Sequence, residues 1–258
     1  MRIHSFLLAL VLGTLLISCQ QEQTLFELKS PEETGVTFAN QIVESDSFNI
    51  LTDEYIFNGG GVATADFDQN GLPDLFFTGN QVANRLYLNR GEFKFTDVSE
   101  QAGILAEDKW CTGSVVVDIN NDGWPDIYVA TAMKKGPGER NNLLFINQGK
   151  DAQGNISFKE MASQYGIADP GNSMGAAFLD YDLDGDLDLY VLNNEQLAAK
   201  PTNFRVKVTD GSAINNDSFY RNNGDGTFSN VTLQAGITYE GFGLGLAIGD
   251  VNNDGWPD

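Results

Sequence analysis

One acidic nonapeptide, written four times, constrains this chain more than any other feature. DFDQNGLPD at 66–74, DINNDGWPD at 118–126, DYDLDGDLD at 180–188 and DVNNDGWPD at 250–258 share one pattern. Each has Asp at position 1, Asp or Asn at 3 and 5, Gly at 6 and Asp at 9. The copies start 52, 62 and 70 residues apart, which is the signature of a chain assembled from one recurring unit.

The flanks recur with the loop. Small and apolar runs lead into it (GGGVATAD, TGSVVVD, MGAAFLD, GLGLAIGD), and LFFTG, IYVAT or LYVLN follows the first three copies. An aromatic segment ending in Asn comes next (84–89, 142–147, 217–222), then a Gly turn and FKFTDVS, ISFKEMA or TFSNVTL. The unit closes on QAGI, QYGI or QAGI. Short β-branched and aromatic runs punctuated by Gly, Asn and Asp predict strands and turns, here four strands per unit in the order A, acidic loop, B, C, D. A four-stranded antiparallel sheet must stack on neighbours to bury both faces. The expected fold class is therefore all-β, a β-propeller of four-stranded antiparallel blades, with a stack of sheets that never closes as the alternative.

Alternating carboxylates and amides on a tight turn aim their oxygens inward, Gly at 6 permits the reversal, and Asp at 9 completes the shell. An all-oxygen set without sulfur or imidazole suits Ca²⁺, which accepts 6–8 such ligands flexibly; Mg²⁺ demands a stricter octahedron and retains water. Four Ca²⁺ sites are expected. Their ligands are Asp66, Asp68, Asn70 and Asp74; Asp118, Asn120, Asp122 and Asp126; Asp180, Asp182, Asp184 and Asp188; and Asp250, Asn252, Asp254 and Asp258. Asp186, at position 7 of the third copy, is expected to face solvent. An EF-hand would need a bidentate Glu at position 12, where Phe77, Val129 and Val191 stand instead. For one isolated copy an ordinary Asx-rich turn would explain the residues equally well. Recurrence at the same positions favours the ion.

These loops resemble the calcium loops of FG-GAP/VCBS repeats in integrin α-like propellers. With the NxGxxF, D/E/N-V/M-S/T/A and AGI segments, the pattern also resembles proteins of the cartilage-acidic-protein type, which often carry an ASPIC/UnbV segment. The resemblance implies seven blades in the full protein. About three and a quarter are present here, so the sequence is expected to be truncated. LFELKSPEETGVTF at 25–38 parallels the end of each unit and is expected to be the outer strand that closes the ring, loosely held or an unpaired edge in its partner's absence.

The N-terminus has its own logic. Arg2, the apolar run from Phe6 to Ile17 and the small residues after it form a secretory signal, too short for a comfortable membrane span. Leu16-Ile17-Ser18 directly before Cys19 resembles a bacterial lipobox; ordinary cleavage at a small residue is the alternative. The expected organisation is a signal peptide at 1–18, a short linker at 19–24 after lipidated Cys19, and a partial propeller at 25–258. The protein would be lipid-anchored in the bacterial cell envelope, at the outer membrane or cell surface, with the membrane as a partner through Cys19. Cleavage removes His4, the only histidine, and with it imidazole chemistry. Cys111 remains as one thiol inside an apolar run and reads as a small buried residue.

The formal charge of −21 disfavours binding nucleic acid through its phosphates. Fourteen of the 36 acidic residues are aspartates of the four loops, so much of the acidity is a ligand inventory. The loops between strands B and C vary most and carry Lys134, Lys135, Arg140, Lys200, Arg205 and Lys207, a candidate basic rim for an anionic partner, with scattered solubilising charge as the alternative. Without histidine in the mature chain, no nucleophile activated by imidazole is expected. The expected function is a calcium-binding, non-enzymatic adhesion module for an extracellular protein or glycan. The alternative is the propeller of an extracellular hydrolase or lyase whose active site lies on the missing C-terminal half.

Overall fold

Runs such as DIYVAT are apolar on both faces and need neighbours on both sides. A computed structural model describes residues 25–133, 137–194 and 206–258 of the chain and gives them those neighbours. The leader 1–18, Cys19 and the linker, and Lys134, Lys135, Lys200 and Arg205 lie outside the described residues. The described chain is all-β, with three antiparallel four-stranded sheets and short helical turns between them.

The first sheet runs β1 (Val62–Ala65), β2 (Asp74–Phe77), β3 (Arg85–Asn89) and β4 (Phe95–Asp97). The second runs β5 (Cys111–Val117), β6 (Asp126–Thr131), β7 (Leu143–Lys150) and β8 (Ile156–Glu160). The third runs β9 (Ser173–Leu179), β10 (Asp188–Asn193), β11 (Ser218–Asn222) and β12 (Phe228–Asn230). Spatial order equals chain order in each sheet, as expected for blades. Each of the first three acidic loops is the A–B turn, with its position 9 as the first residue of strand B: Ala65 pairs with Asp74, Val117 with Asp126 and Leu179 with Asp188.

Alternation along the middle strands divides the core in two. Ile127 and Val129 of β6, with Leu143 and Phe145 of β7, join Phe76, Leu86 and Leu88 of the first sheet. Tyr128, Leu144 and Ile146, from the opposite face, join Leu189, Val191 and Tyr220 of the third. The second sheet is thus buried on both faces, each fully covered apolar side chain contributing about 1.5–3 kcal/mol. Cys111 is fully buried in the first cluster. The innermost strands approach closely: a Cβ on Gly61 would lie 2.9 Å from the Gly113 Cα, and one on Gly113 would lie 2.9 Å from the Met174 carbonyl oxygen.

Several segments differ from the sequence-based expectation of strands and turns alone. The residues that run into the first two closing tetrapeptides are helical turns, α2 (Ser99–Ala102) and α3 (Ala162–Tyr165), each followed by a left-handed glycine, Gly103 or Gly166. Pro31–Thr34 forms the equivalent α1, started by a Ser30–Glu33 capping box and ended at left-handed Gly35, so this segment does repeat the unit's end. Residues 25–30 before it form no strand, and Leu25, Phe26 and Leu28 are exposed. The fourth unit's lead-in, 243–250, is not a strand either. Single bridges join Asn194 to Phe242 and Asn216 to Glu240, and beyond them no partner among the described residues offers a ladder.

Candidate metal centre

The four acidic loops fold alike because each solves its own turn. The position-1 aspartate accepts the N–H of residues 5 and 6: Asp66 from Asn70 and Gly71, Asp118 from Asp122 and Gly123, Asp180 from Asp184 and Gly185, Asp250 from Asp254 and Gly255. Position 5 accepts the N–H of position 7 in every copy. Position 6 has φ of 86–96°, which glycine adopts without cost. Position 4 is also left-handed in all four, at Gln69, Asn121, Leu183 and Asn253. Sequence reasoning missed this feature, since only the two asparagines hint at it.

Position 9 has a second task. Asp74 accepts the Phe67 and Asn89 N–H groups at 2.8 and 2.7 Å, Asp126 those of Ile119 and Asn147 at 3.1 and 2.8 Å, and Asp188 those of Tyr181 and Asn222 at 3.1 and 2.8 Å. One buried carboxylate therefore clamps the loop to the end of strand C. The asparagine there clamps back, Asn89 donating its amide to the Pro73 carbonyl and Asn147 to those of Pro125 and Phe67. The last contact crosses from the second sheet to the loop of the first, as does Gln69 donating to the Gly123 carbonyl at 2.9 Å. The terminal Asn of each aromatic segment was visible in the sequence; its role was not.

The carboxylates converge. One oxygen each of Asp66, Asp68 and Asp74 lie within 4.8 Å of one another, and so do those of Asp180, Asp182 and Asp184. Burial pushes the Asp74 and Asp126 carboxyls up to about 6, and the charges of the neighbouring loop aspartates add to it, against the N–H groups that favour ionisation. Asp188 is raised for the same reasons. Asp68 is 4% exposed, and its Oδ1 is buried without a hydrogen-bond partner; the Oδ1 of Asp182 is likewise buried and unpartnered. Position 3 thus carries an unmatched acceptor in both loops that have Asp there, facing other acceptors. A hard, oxygen-preferring cation fits this donor set. In the second and fourth loops the position-3 amide turns on its neighbour, Asn120 donating to Asp122 and Asn252 to Asp254. Asn70, Asp122 and Asp184 sit at the exposed rim of their loops, and Asp250, Asn252, Asp254 and Asp258 are exposed throughout. Asp186 is half-buried rather than solvent-facing, close against the Gly224 turn.

The basic rim changes more. Arg140, expected to meet a ligand, is 8% exposed; it sits in a helical turn over Pro137–Arg140 and donates Nε–H to the Pro170 carbonyl at 2.7 Å. The structure makes it a strut between the second and third sheets. Lys207 is exposed, with its Nζ 3.9 Å from the centroid of the Phe242 ring.

Blade-like sheets whose A–B turns gather carboxylates on one face define a class of repeat protein. The chain belongs to the FG-GAP-like repeat family, whose pattern matches residues 46–129 and 208–258, just over half of its length. Cartilage acidic protein 1 of Homo sapiens is 24% identical over 201 residues, covering 78% of this chain and 27% of that protein. That of Mus musculus is 25% identical over 201 residues, 78% of this chain and 28% of that protein. That of Xenopus tropicalis is 26% identical over 159 residues, 60% of this chain and 24% of that protein. The chain spans about a quarter of the length of these curated relatives.

Proposed function

We propose that this protein is a calcium-binding, lipid-anchored propeller module of the bacterial cell envelope that holds an extracellular protein or glycan and does no chemistry on it. The observation that carries the calcium reading is the buried, unpartnered Oδ1 of Asp68 beside Asp66 and Asp74. Water cannot reach that oxygen, Arg90 meets only the other one, and a carboxylate oxygen buried among its like without a partner is costly unless a cation answers it. Ca²⁺ would be held by the aspartates and asparagines at positions 1, 3, 5 and 9. Bound there, it would supply charge neutralisation and rigidity, fixing each A–B hairpin against strand C. The sheet-on-sheet burial and the FG-GAP-like repeats support an adhesion-type module whose sheets stack around an axis, and the lipobox-like sequence before Cys19 supports the anchor.

Elemental analysis after equilibration in micromolar to millimolar Ca²⁺ tests the metal. The expected result is more than one Ca²⁺ per chain, lost on alanine substitution of Asp68 and Asp182; metal-free protein at millimolar Ca²⁺ would end the reading. Mass spectrometry of membrane-extracted protein tests the anchor, with a diacylated Cys19 expected at the mature N-terminus. Partners are sought on the face opposite the calcium loops, by glycan array and surface pull-down with no turnover of the captured ligand.

A further inference from the structure

The first loop differs from the others in one contact. Arg90, the residue after β3, turns its guanidinium onto Asp68, with Nη1 3.3 Å from Oδ2. Asp68 is therefore divided: Oδ2 faces a fixed cation while Oδ1 is buried without a partner. Nothing similar occurs at the other described loops. The corresponding residue is Gln148, within the second sheet's C strand, where its amide returns to the Ile146 carbonyl. In the third sheet it is Asn223, bonded to Thr227 and Ser229. Among the described residues, the Arg90–Asp68 pair is the one ion pair that touches an acidic loop. The first loop is also poor in charge, with Asn70 at position 5, whereas the third has carboxylates at positions 1, 3, 5, 7 and 9.

Resting on the calcium reading above, we infer that Arg90 is a built-in counter-ion that tunes the first site to lower affinity than the third. A guanidinium beside Asp68 offsets carboxylate repulsion while the loop is empty. It must yield part of that contact, or share the carboxylate, when a divalent ion binds. Metal and arginine compete for one side chain that is almost wholly buried, so the competition is screened less than on an open surface. Carboxylate count and site rigidity set affinity in all-oxygen Ca²⁺ sites, which places the third loop, with no such cation, at the tight end. The sites then fill in sequence as Ca²⁺ rises, the first loop late, and the module stiffens in steps.

The test follows the Gly71 and Gly123 backbone amides by NMR while Ca²⁺ is added to the whole chain. In Arg90→Gln, which installs the second sheet's residue type, the Gly71 midpoint should fall about two- to fivefold and the Gly123 midpoint should hold, the size expected for loss of one charge pair whose arginine is about half exposed. Lys94→Gln removes the same charge nearby, where Lys94 donates to the Glu33 carbonyl, and should move neither midpoint. Gln148→Arg should raise the Gly123 midpoint by a similar factor. If Arg90→Gln leaves the Gly71 midpoint where Lys94→Gln leaves it, or lowers both midpoints alike, Arg90 does not tune the site. If neither amide in the unaltered protein responds to millimolar Ca²⁺, the calcium reading itself fails, and this inference with it.

Discussion

DINNDGWPD at 118–126 and DVNNDGWPD at 250–258 differ by one methylene, yet they occupy different worlds. Their inner turns superimpose in chemistry: the same aspartate accepts the same two N–H groups, at 3.0 and 2.8 Å in both copies. Their position-9 residues do not. Asp126 is fully buried and its carboxylate accepts from Ile119 and Asn147, whereas Asp258 is exposed and, among the described residues, its carboxylate accepts from Val251 alone. Ile119 is 8% exposed and Val251 85%. The comparison separates what a nonapeptide does by itself from what a neighbouring C strand does to it: the turn is local, and the clamp is tertiary.

The strongest way to break this comparison is to remove the ion. If the shared inner turn is what binds Ca²⁺, chelation with EGTA at neutral pH should lower the melting temperature in calorimetry by roughly 10 °C or more. Each site at a hundredfold excess over its dissociation constant contributes about 2.7 kcal/mol to the folded state. No shift would leave the two loops alike only as turns.

The next largest effect distinguishes the two aspartates directly. Asp126→Ala strips two buried N–H groups of their acceptor and should cost about 3 kcal/mol in urea unfolding of metal-free protein at about pH 4, where the folded state holds the carboxyl protonated. Asp258→Ala should cost less than about 0.5 kcal/mol, as for other exposed positions. Equal costs would show that burial of the clamp carries no stability.

Acidity offers a gentler probe. Asp74 and Asp126 have an ordinary value of 3.8 and are pushed up to about 6 in the folded protein. The folded state therefore holds their protons more tightly than the unfolded one. Protein stripped of divalent ions should be most favoured by these groups below about pH 4 and lose that stability as pH rises through about 6. Circular dichroism melts across this range should show a decline of a few degrees, smaller in Asp126→Asn. Calcium reverses the trend, since the ion takes the place of the proton.

The smallest expected effect is optical. Trp124 is half-buried and packs on the Gly149 turn, where a Cβ would lie 3.1 Å from its ring, while Trp256 is 49% exposed. Iodide should quench Trp256 more than Trp124, seen by comparing Trp124→Phe with Trp256→Phe. Equal quenching would mean that the turn does not shelter the ring.

Much of this was legible in the residues. Short β-branched and aromatic runs marked the strands, and the recurrence of Asp, Asn and Gly at fixed places marked the loops. The helical turns at QAGI and QYGI were not legible, because four residues carry too little pattern and their ends depend on a left-handed glycine packed near the next sheet's D strand: a Cβ on Gly103 would lie 3.5 Å from the Phe158 carbonyl, and one on Gly166 would lie 3.0 Å from that of Phe228. Arg140 read as part of a basic rim on a variable loop. It became a strut because the Pro170 carbonyl stands beside it, a neighbour 30 residues away that no local pattern reveals.

By itself the sequence determined the turns, the strand order and the clustering of oxygen-bearing side chains in the loops, because hydrogen bonds within nine residues and short β-branched runs need no distant partner. Only the tertiary structure decided which carboxylates are buried, which asparagines clamp them, and that Arg90 rather than a neutral amide meets Asp68. Those outcomes depend on desolvation and on contacts between residues 15 to 80 positions apart, and the same nonapeptide acquires or lacks them according to what packs against it.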